Sequence, residues 1–270
     1  MLSRWLICCT LLLSASAWAA SPPRAPADSC DGLEVAFYEH GALYYHDAGG
    51  AWNGIDKEVV DEVEKRLGCR FHRRLDSRVR IWTSIANGLL DISVSGIATP
   101  EREKKARFAP YLAGRNFVLL QMDAKPEVQS LDAFLAEPSY KVAVVRSYTH
   151  GAIYEAWLNK LRAQGRVYET GDYQSLLRLF KLRRVDAVLA LGVSWVPLVR
   201  GEEMAGQYRI MDWAPNDRVV AGLVMSRARV SKALAEQISG AVREMRQDGT
   251  LKAIYDRHVG PEMADMLLRF

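Results

Sequence analysis

Apolar positions along this chain fall into two recurring patterns. Ile81, Ile85 and Leu89 stand at i, i+4 and i+8, one stripe of a helix over 80–88. Gly88 near its end suits a left-handed cap. The run Leu90 to Ile97, with Ile92, Val94 and Ile97, suits a short buried strand over 91–97. Thr99-Pro100 then predicts a helix over 100–106, with Thr99 as N-cap and Pro100 at the first helical position. The same alternation runs through the chain. Before this segment it predicts strand 33–38, helix 55–67 and strand 70–75; after it, a strand near 115–122. A polar stretch, Asp123 to Ser130, separates a second run. That run has strand 141–145, helix 149–163, strand 166–169, helix 173–183, strand 185–190, helix 194–203 and strand 208–211. Strand 219–225 and helices 230–247 and 250–257 close the chain. This is α/β patterning in two consecutive units.

Bulk properties narrow the class. The 270 residues suffice for one large domain or two lobes. The formal charge of +4 is scattered, and the arginine-rich 70–80 segment follows no nucleic-acid motif; a solvated edge is the expectation. Residues 1–20 read as a cleaved secretory signal: Arg4, the apolar run Trp5 to Leu13, and the small-x-small site Ala17-Trp18-Ala19. Cys8 and Cys9 each lack a preceding small residue, so no lipid anchor is expected, and periplasmic export is. A Pro/Ala-rich tail follows over 20–29. After cleavage Cys30 and Cys69 remain. An oxidising compartment, and strand starts expected at one sheet edge, favour a disulfide between them over two separate thiols. Metal-ligand spacings, phosphate loops and hydrolase triads are absent, so neither metal nor cofactor is expected.

The candidate chemistry centres on Arg102. A cation in the first turn of a helix opposes the helix dipole unless something negative is near: Glu101, Glu103, or a ligand carboxylate bound bidentately. The surrounding motifs are Ile85-x-x-Gly88-x-x-Asp91, Thr99-x-x-Arg102 and Phe108-Ala109-Pro110-Tyr111. With Gly54-Ile55-Asp56 followed by Val59 and Val60, Arg184-Val185-Asp186-Ala187 and Asp248-Gly249-Thr250-Leu251 with Tyr255, they occur in a telling order. In that order they resemble the type II periplasmic solute-binding proteins of the amino-acid family, bacterial solute-binding protein family 3. The resemblance implies a two-lobed, periplasmic binding protein-like α/β fold, each lobe a mostly parallel sheet flanked by helices. It implies two hinge strands, near 116–121 and 216–222. Lobe 1 would comprise 21–117 and 217–270, and lobe 2 118–216.

The same resemblance implies the site. Arg102 would clamp a ligand carboxylate, and Ser95 and Gly96 would present backbone groups to the cleft. Tyr38, His40 or Tyr44 would supply an aromatic wall, and Trp82 faces either cleft or core. Ser147, Tyr148 and Thr149 fall where the family caps the same carboxylate, although Ser147 or Thr149 would also serve as a plain N-cap; Arg146 is a possible second anion contact. Three departures matter. Ile97 replaces a ligand-contacting hydroxyl, Leu191 replaces the aspartate that meets an α-ammonium, and Ser147 replaces a glycine. A ligand ammonium against Leu191 would be desolvated without a partner, so the expected ligand is a carboxylate lacking an α-amino group, or one whose amine is met by Glu39 or another first-lobe group. The leading expectation is a monomeric binding protein, not an enzyme, that hands a carboxylate-bearing solute to an inner-membrane ABC permease. Two others stand beside it. One is a sensory module signalling to a separate membrane partner. The other is an enzyme like the cyclohexadienyl dehydratases, for which Glu39, His40 and Glu169 are the candidate acids.

Overall fold

The computed structural model describes residues 27–195 and 206–270. The secretory signal read at 1–20 and most of the helix read at 194–203 lie outside the described residues. Among the described residues no helix is long and apolar enough to cross a membrane.

The first lobe starts with β1 (Glu34–Phe37), whose Val35, Ala36 and Phe37 are fully buried. A short hairpin of β2 (Tyr45–His46) and β3 (Trp52–Asn53) follows. Helix α1 (Ile55–Leu67) forms because Ile55, Val59, Val60 and Val63 make one buried stripe. Asp56 and Glu58 in its first turn and Lys65 and Arg66 in its last complement the helix dipole, and left-handed Gly68 ends it. β4 (His72–Leu75) is an edge strand whose charged, mostly exposed side chains discourage further pairing. Helix α2 (Arg78–Ala86) leads to β5 (Ile92–Ile97), which is buried throughout. β1 pairs in parallel with β4 on one side and β5 on the other.

β6 (Ala106–Gln121) then runs through both lobes. Its first half pairs antiparallel with β11 (Arg218–Ser226) as far as Arg115↔Arg218. From Asn116↔Leu191 its second half pairs with β9 (Ala187–Leu191), so the strand changes pairing partner between adjacent residues. The second lobe repeats the first: β7 (Val142–Val145) pairs in parallel with β8 (Val167–Thr170) and with β9. Helices α4 (Leu131–Leu135), α5 (Ala152–Ala163) and α6 (Tyr173–Lys181) flank it. β10 (Tyr208–Met211) pairs with the far end of β6, and the chain returns through 212–217 into β11. The closing helices α7 (Lys232–Gln247), α8 (Thr250–Val259) and α9 (Pro261–Leu267) cover lobe 1. One apolar core fills lobe 1, and two smaller ones lie on the second lobe's sheet.

In each lobe the central strand has its sequence neighbours on opposite sides. That places a switch point at the carboxyl ends of β1 and β7, where α/β sheets bind ligands. Cys30 and Cys69 are disulfide-bonded across 39 residues with Cα atoms 5.8 Å apart, consistent with the parallel β1–β4 register Glu34↔His72. Reduction is expected to lower stability by about 3 kcal/mol through the entropy regained by the unfolded chain. The check is the urea midpoint with and without reductant, against a Cys30→Ser/Cys69→Ser variant; equal midpoints would exclude the effect.

Some boundaries differ from the sequence reading. The helix expected at 100–106 is a single turn, α3 (Pro100–Glu103), and the strand expected near 115 begins at Ala106. Pairing with β11 claims Ala106 and Arg107 and outweighs local helix preference. Leu89 is 67% exposed because α2 stops at Ala86, while Gly88 adopts φ 67° as expected. Helix α5 starts at Ala152 rather than 149, after Gly151 at φ 91°. The hairpin β2–β3, α4 and α9 were not anticipated.

Candidate functional site

The carboxyl ends of both sheets meet at one cleft. After β1 come Tyr38 and His40; after β4, Arg78; at the end of β5, Ser95, Ile97 and then Arg102. From the second lobe come Tyr148 and Thr149 after β7, Tyr173 after β8, and Leu191 and Ser194 at the end of β9. Tyr38, His40, Arg78, Ser95, Ile97, Asn116, Tyr148, Thr149 and Leu191 line an enclosed cavity of about 10 Å³, room for roughly one water.

Arg102 spans the lobes. Its Nη1 donates to the Ile97 carbonyl at 2.9 Å and its Nη2 to the Ser147 carbonyl of lobe 2 at 2.8 Å. Its guanidinium carbon lies 4.0 Å from the Trp82 ring centre. Burial, reinforced by the neighbouring Arg78 charge, pushes its pKa down to about 10, so it stays cationic at neutral pH. Thr99 Oγ1 accepts from the Arg102 backbone N–H at 3.3 Å, the cap expected from the sequence.

His40 is 2% exposed, and its Nε2 hydrogen-bonds the Ser194 hydroxyl across the cleft. Burial, with help from Arg78 and His150, drives its pKa down to about 3, leaving a neutral ring. Gly41 makes this contact possible: at φ 51°, a Cβ there would fall 2.3 Å from the Ser194 carbonyl oxygen. The adjacent Ala42 N–H donates to the Val193 carbonyl at 3.0 Å.

Ser95 sits at φ 48° and is fully engaged. Its N–H donates to the Tyr111 hydroxyl at 2.7 Å, and its Oγ donates to Asp56 Oδ1 at 2.7 Å. Only its carbonyl faces the cleft, 3.4 Å from both the Tyr38 hydroxyl and Arg78 Nη2. Asp56, fully buried behind Ser95, also accepts from the Tyr111 hydroxyl at 2.6 Å, and burial pushes its carboxyl up to about 7.

Several expected residues lie elsewhere. Tyr44 is stacked between Phe37 and Trp52, each 4.5 Å away, and belongs to the core. Gly96 faces Val224, Phe108 and Trp82, where a Cβ would meet Val224 at 2.0 Å. Ser147, at φ 67°, contributes its carbonyl to Arg102, and neither it nor Thr149 caps α5. That role falls to Asp217 on the return crossing, which accepts from the Ile153 and Tyr154 N–H groups at 2.8 and 3.1 Å. Those donors are therefore unavailable to a ligand. Arg146 pairs with Glu169 at 3.6 Å rather than entering the cleft.

The basic segment yields the main surprise. Arg73, Arg74 and Arg80 are surface ion-pair partners, but Arg78 is only 4% exposed and lies inside the cleft. The signal was present: Arg78 precedes Ile81 and Ile85 at i, i+3 and i+7, on the buried face of α2.

This geometry agrees with comparison to known proteins. The sequence profile of the bacterial extracellular solute-binding proteins, family 3, matches residues 33–261. The chain belongs to that family. It is 24% identical over 218 residues to an arginine-binding periplasmic protein from Mannheimia haemolytica, covering 77% of this chain and 82% of the relative. An ancestral arginine-binding protein bound to arginine superposes with a TM-score of 0.72 at 21% identity, covering 85% and 98% of the two chains. A histidine kinase sensor domain similar to periplasmic binding proteins does so with 0.70 at 16% identity, covering 85% and 97%. These likenesses establish the two-lobed fold, and the family member's general role is solute binding.

Proposed function

We propose that this family member captures a small carboxylate-bearing solute between its lobes in the periplasm and passes it, as a monomer, to an inner-membrane ABC importer. The observation that carries this reading is Arg102. It is a half-buried guanidinium stacked on Trp82, joined to one backbone carbonyl of each lobe and, among the described residues, to no carboxylate. A ligand carboxylate offers such a fork a stronger, bidentate partner than two neutral carbonyls. Capture requires the lobes to part, since a 10 Å³ cavity holds no organic acid. The pivots on this reading are the β6 crossing at Arg115–Asn116 and the return into β11 at Arg218. Lobe 1 is then 21–117 with 217–270 and lobe 2 118–216, bounds that fall within two residues of these pivots.

The arginine ligands of the relatives do not transfer simply. Arginine would bring an ammonium and a guanidinium into a cavity lined by Arg78 and by no acidic side chain. Leu191, 8% exposed, and Ile97 stand at the cavity wall and offer an ammonium nothing. The reading is therefore an organic acid, or an amino-acid-like solute without a free α-ammonium. A dehydratase-type enzyme is less well supported. Glu39 is at the outer mouth near Gln174, His40 is neutral and tied to Ser194, and Glu169 is paired with Arg146 and Arg162.

Native mass spectrometry of the purified protein, followed by a thermal-shift panel of organic acids and amino acids, tests the proposal. A cognate solute at a hundredfold excess over Kd is expected to stabilise by about 2.7 kcal/mol. Arg102→Ala is expected to abolish the shift, and a full shift in that variant refutes the clamp.

A further inference from the structure

Clamping of one carboxylate by Arg102 leaves Arg78 without a role, and its surroundings do not account for its charge. Its Nε is buried without a hydrogen-bond partner. Among the described residues its one hydrogen-bond partner is the Ser95 carbonyl, a long 3.4 Å from Nη2. Its guanidinium carbon rests 4.4 Å from the Tyr38 ring, 4.9 Å from Tyr148 and 5.7 Å from Trp82. Such cation–π contacts offset part of the cost of burying a cation, not all of it. The same Trp82 ring carries Arg102 at 4.0 Å, so two like charges flank one indole, and the Arg78 charge acts on Arg102.

Among the described residues no carboxylate lines the cavity onto which Arg78 faces. Asp56, behind Ser95, feels the Arg78 charge, but its Oδ1 is taken by Tyr111 and Ser95, and burial holds its pKa at about 7. The acids at the outer mouth are engaged there. Asp76 lies 3.3 Å from Arg80 and 3.7 Å from Arg74, Asp172 caps α6 through the Ser175 N–H, and Glu39 accepts from Gln174.

We infer that the captured solute is a small dicarboxylate without an ammonium group, one carboxylate on Arg102 and the second on Arg78, an inference that rests on the capture reading above. Arg78 is then a specificity-determining contact. A second anion supplies the partner its Nε lacks, and together the two anions neutralise the paired guanidinium groups. An ammonium on the same ligand would add a third cation beside them, against Leu191 and Ile97.

Calorimetry on the purified protein tests this with succinate, glutarate and adipate beside butyrate, valerate and hexanoate, and with glutamate as the ammonium-bearing counterpart of glutarate. At least one dicarboxylate is expected to bind about tenfold to a hundredfold more tightly than its monocarboxylate partner, the worth of one charge-assisted contact. Glutarate is expected to outbind glutamate. Arg78→Gln is expected to cost the dicarboxylate at least about tenfold more affinity than its monocarboxylate partner, and Arg78→Lys to recover part of that difference. If Arg78→Gln does not fold, the wild-type comparison and Arg78→Lys decide. Equal binding of both series, abolished by Arg102→Ala, overturns this inference and leaves carboxylate capture standing. Tighter glutamate than glutarate overturns it too. Binding of neither series overturns both readings together.

Discussion

Replacing Asp56 by asparagine is expected to stabilise the protein at pH 8 by roughly 4 kcal/mol relative to its effect at pH 4. The carboxyl is fully buried, and burial raises its pKa from 3.8 to about 7 against the opposing pull of the Tyr111 and Ser95 hydroxyls and the Arg78 charge. Between those values the native state holds a proton that the unfolded chain has released. Stability therefore falls as pH rises through this window, by about 1.4 kcal/mol per unit. Below pH 4 both states are protonated and the term vanishes. Asparagine keeps an oxygen for Tyr111 and Ser95, and its amide takes the place of Oδ2, which has no partner. Urea denaturation of both proteins from pH 4 to 8 checks this. A stability difference that is flat with pH would show that Asp56 is ionised throughout.

Asp56 also illustrates what the sequence revealed and what it did not. Gly54-Ile55-Asp56 marked a helix start, and α1 begins there, because an apolar stripe and end charges are local properties that one chain segment encodes alone. The strand-helix alternation and the order of motifs carried the α/β fold class in the same way. The position of Arg102 was legible from Thr99-Pro100 and the resemblance. Its partner across the cleft, the Ser147 carbonyl, was not, since that contact joins residues 45 apart from different lobes. Arg78 was misread as a solvated edge because its neighbours Arg73, Arg74 and Arg80 form one, and composition hides a single inward-facing member. Asp217 was missed for a related reason: a capping carboxylate 64 residues from the N–H it accepts leaves no local pattern.

Acidification is expected to destabilise the protein through two buried histidines, His40 and His150, by roughly 2 kcal/mol each between pH 6.5 and 5. Each is buried, and burial lowers each pKa from 6.5 to about 3. His40 faces Arg78, the Ser194 hydroxyl and the rings of Tyr38, Tyr148 and Tyr173. His150 faces Asn116 through Nδ1 at 3.1 Å, with Glu155 on its backbone N–H and the Arg162 charge beyond. As pH falls below 6.5 the unfolded chain takes up two protons that the native state refuses, so stability falls with pH. Asp56 acts in the opposite sense in the same window, leaving a net slope of about one proton in the wild type. Asp56→Asn should double that slope to about two protons, and adding His40→Gln or His150→Gln should return it to one. Stability measured from pH 5 to 6 in these four proteins checks the arithmetic. An unchanged slope in both histidine variants would mean that the rings are already open to water. The His40 term belongs to the closed cleft, because its Ser194 contact joins the lobes. Parting the lobes would release that ring to solvent, so solute capture should weaken as pH falls from 6.5 even though Arg102 keeps its charge.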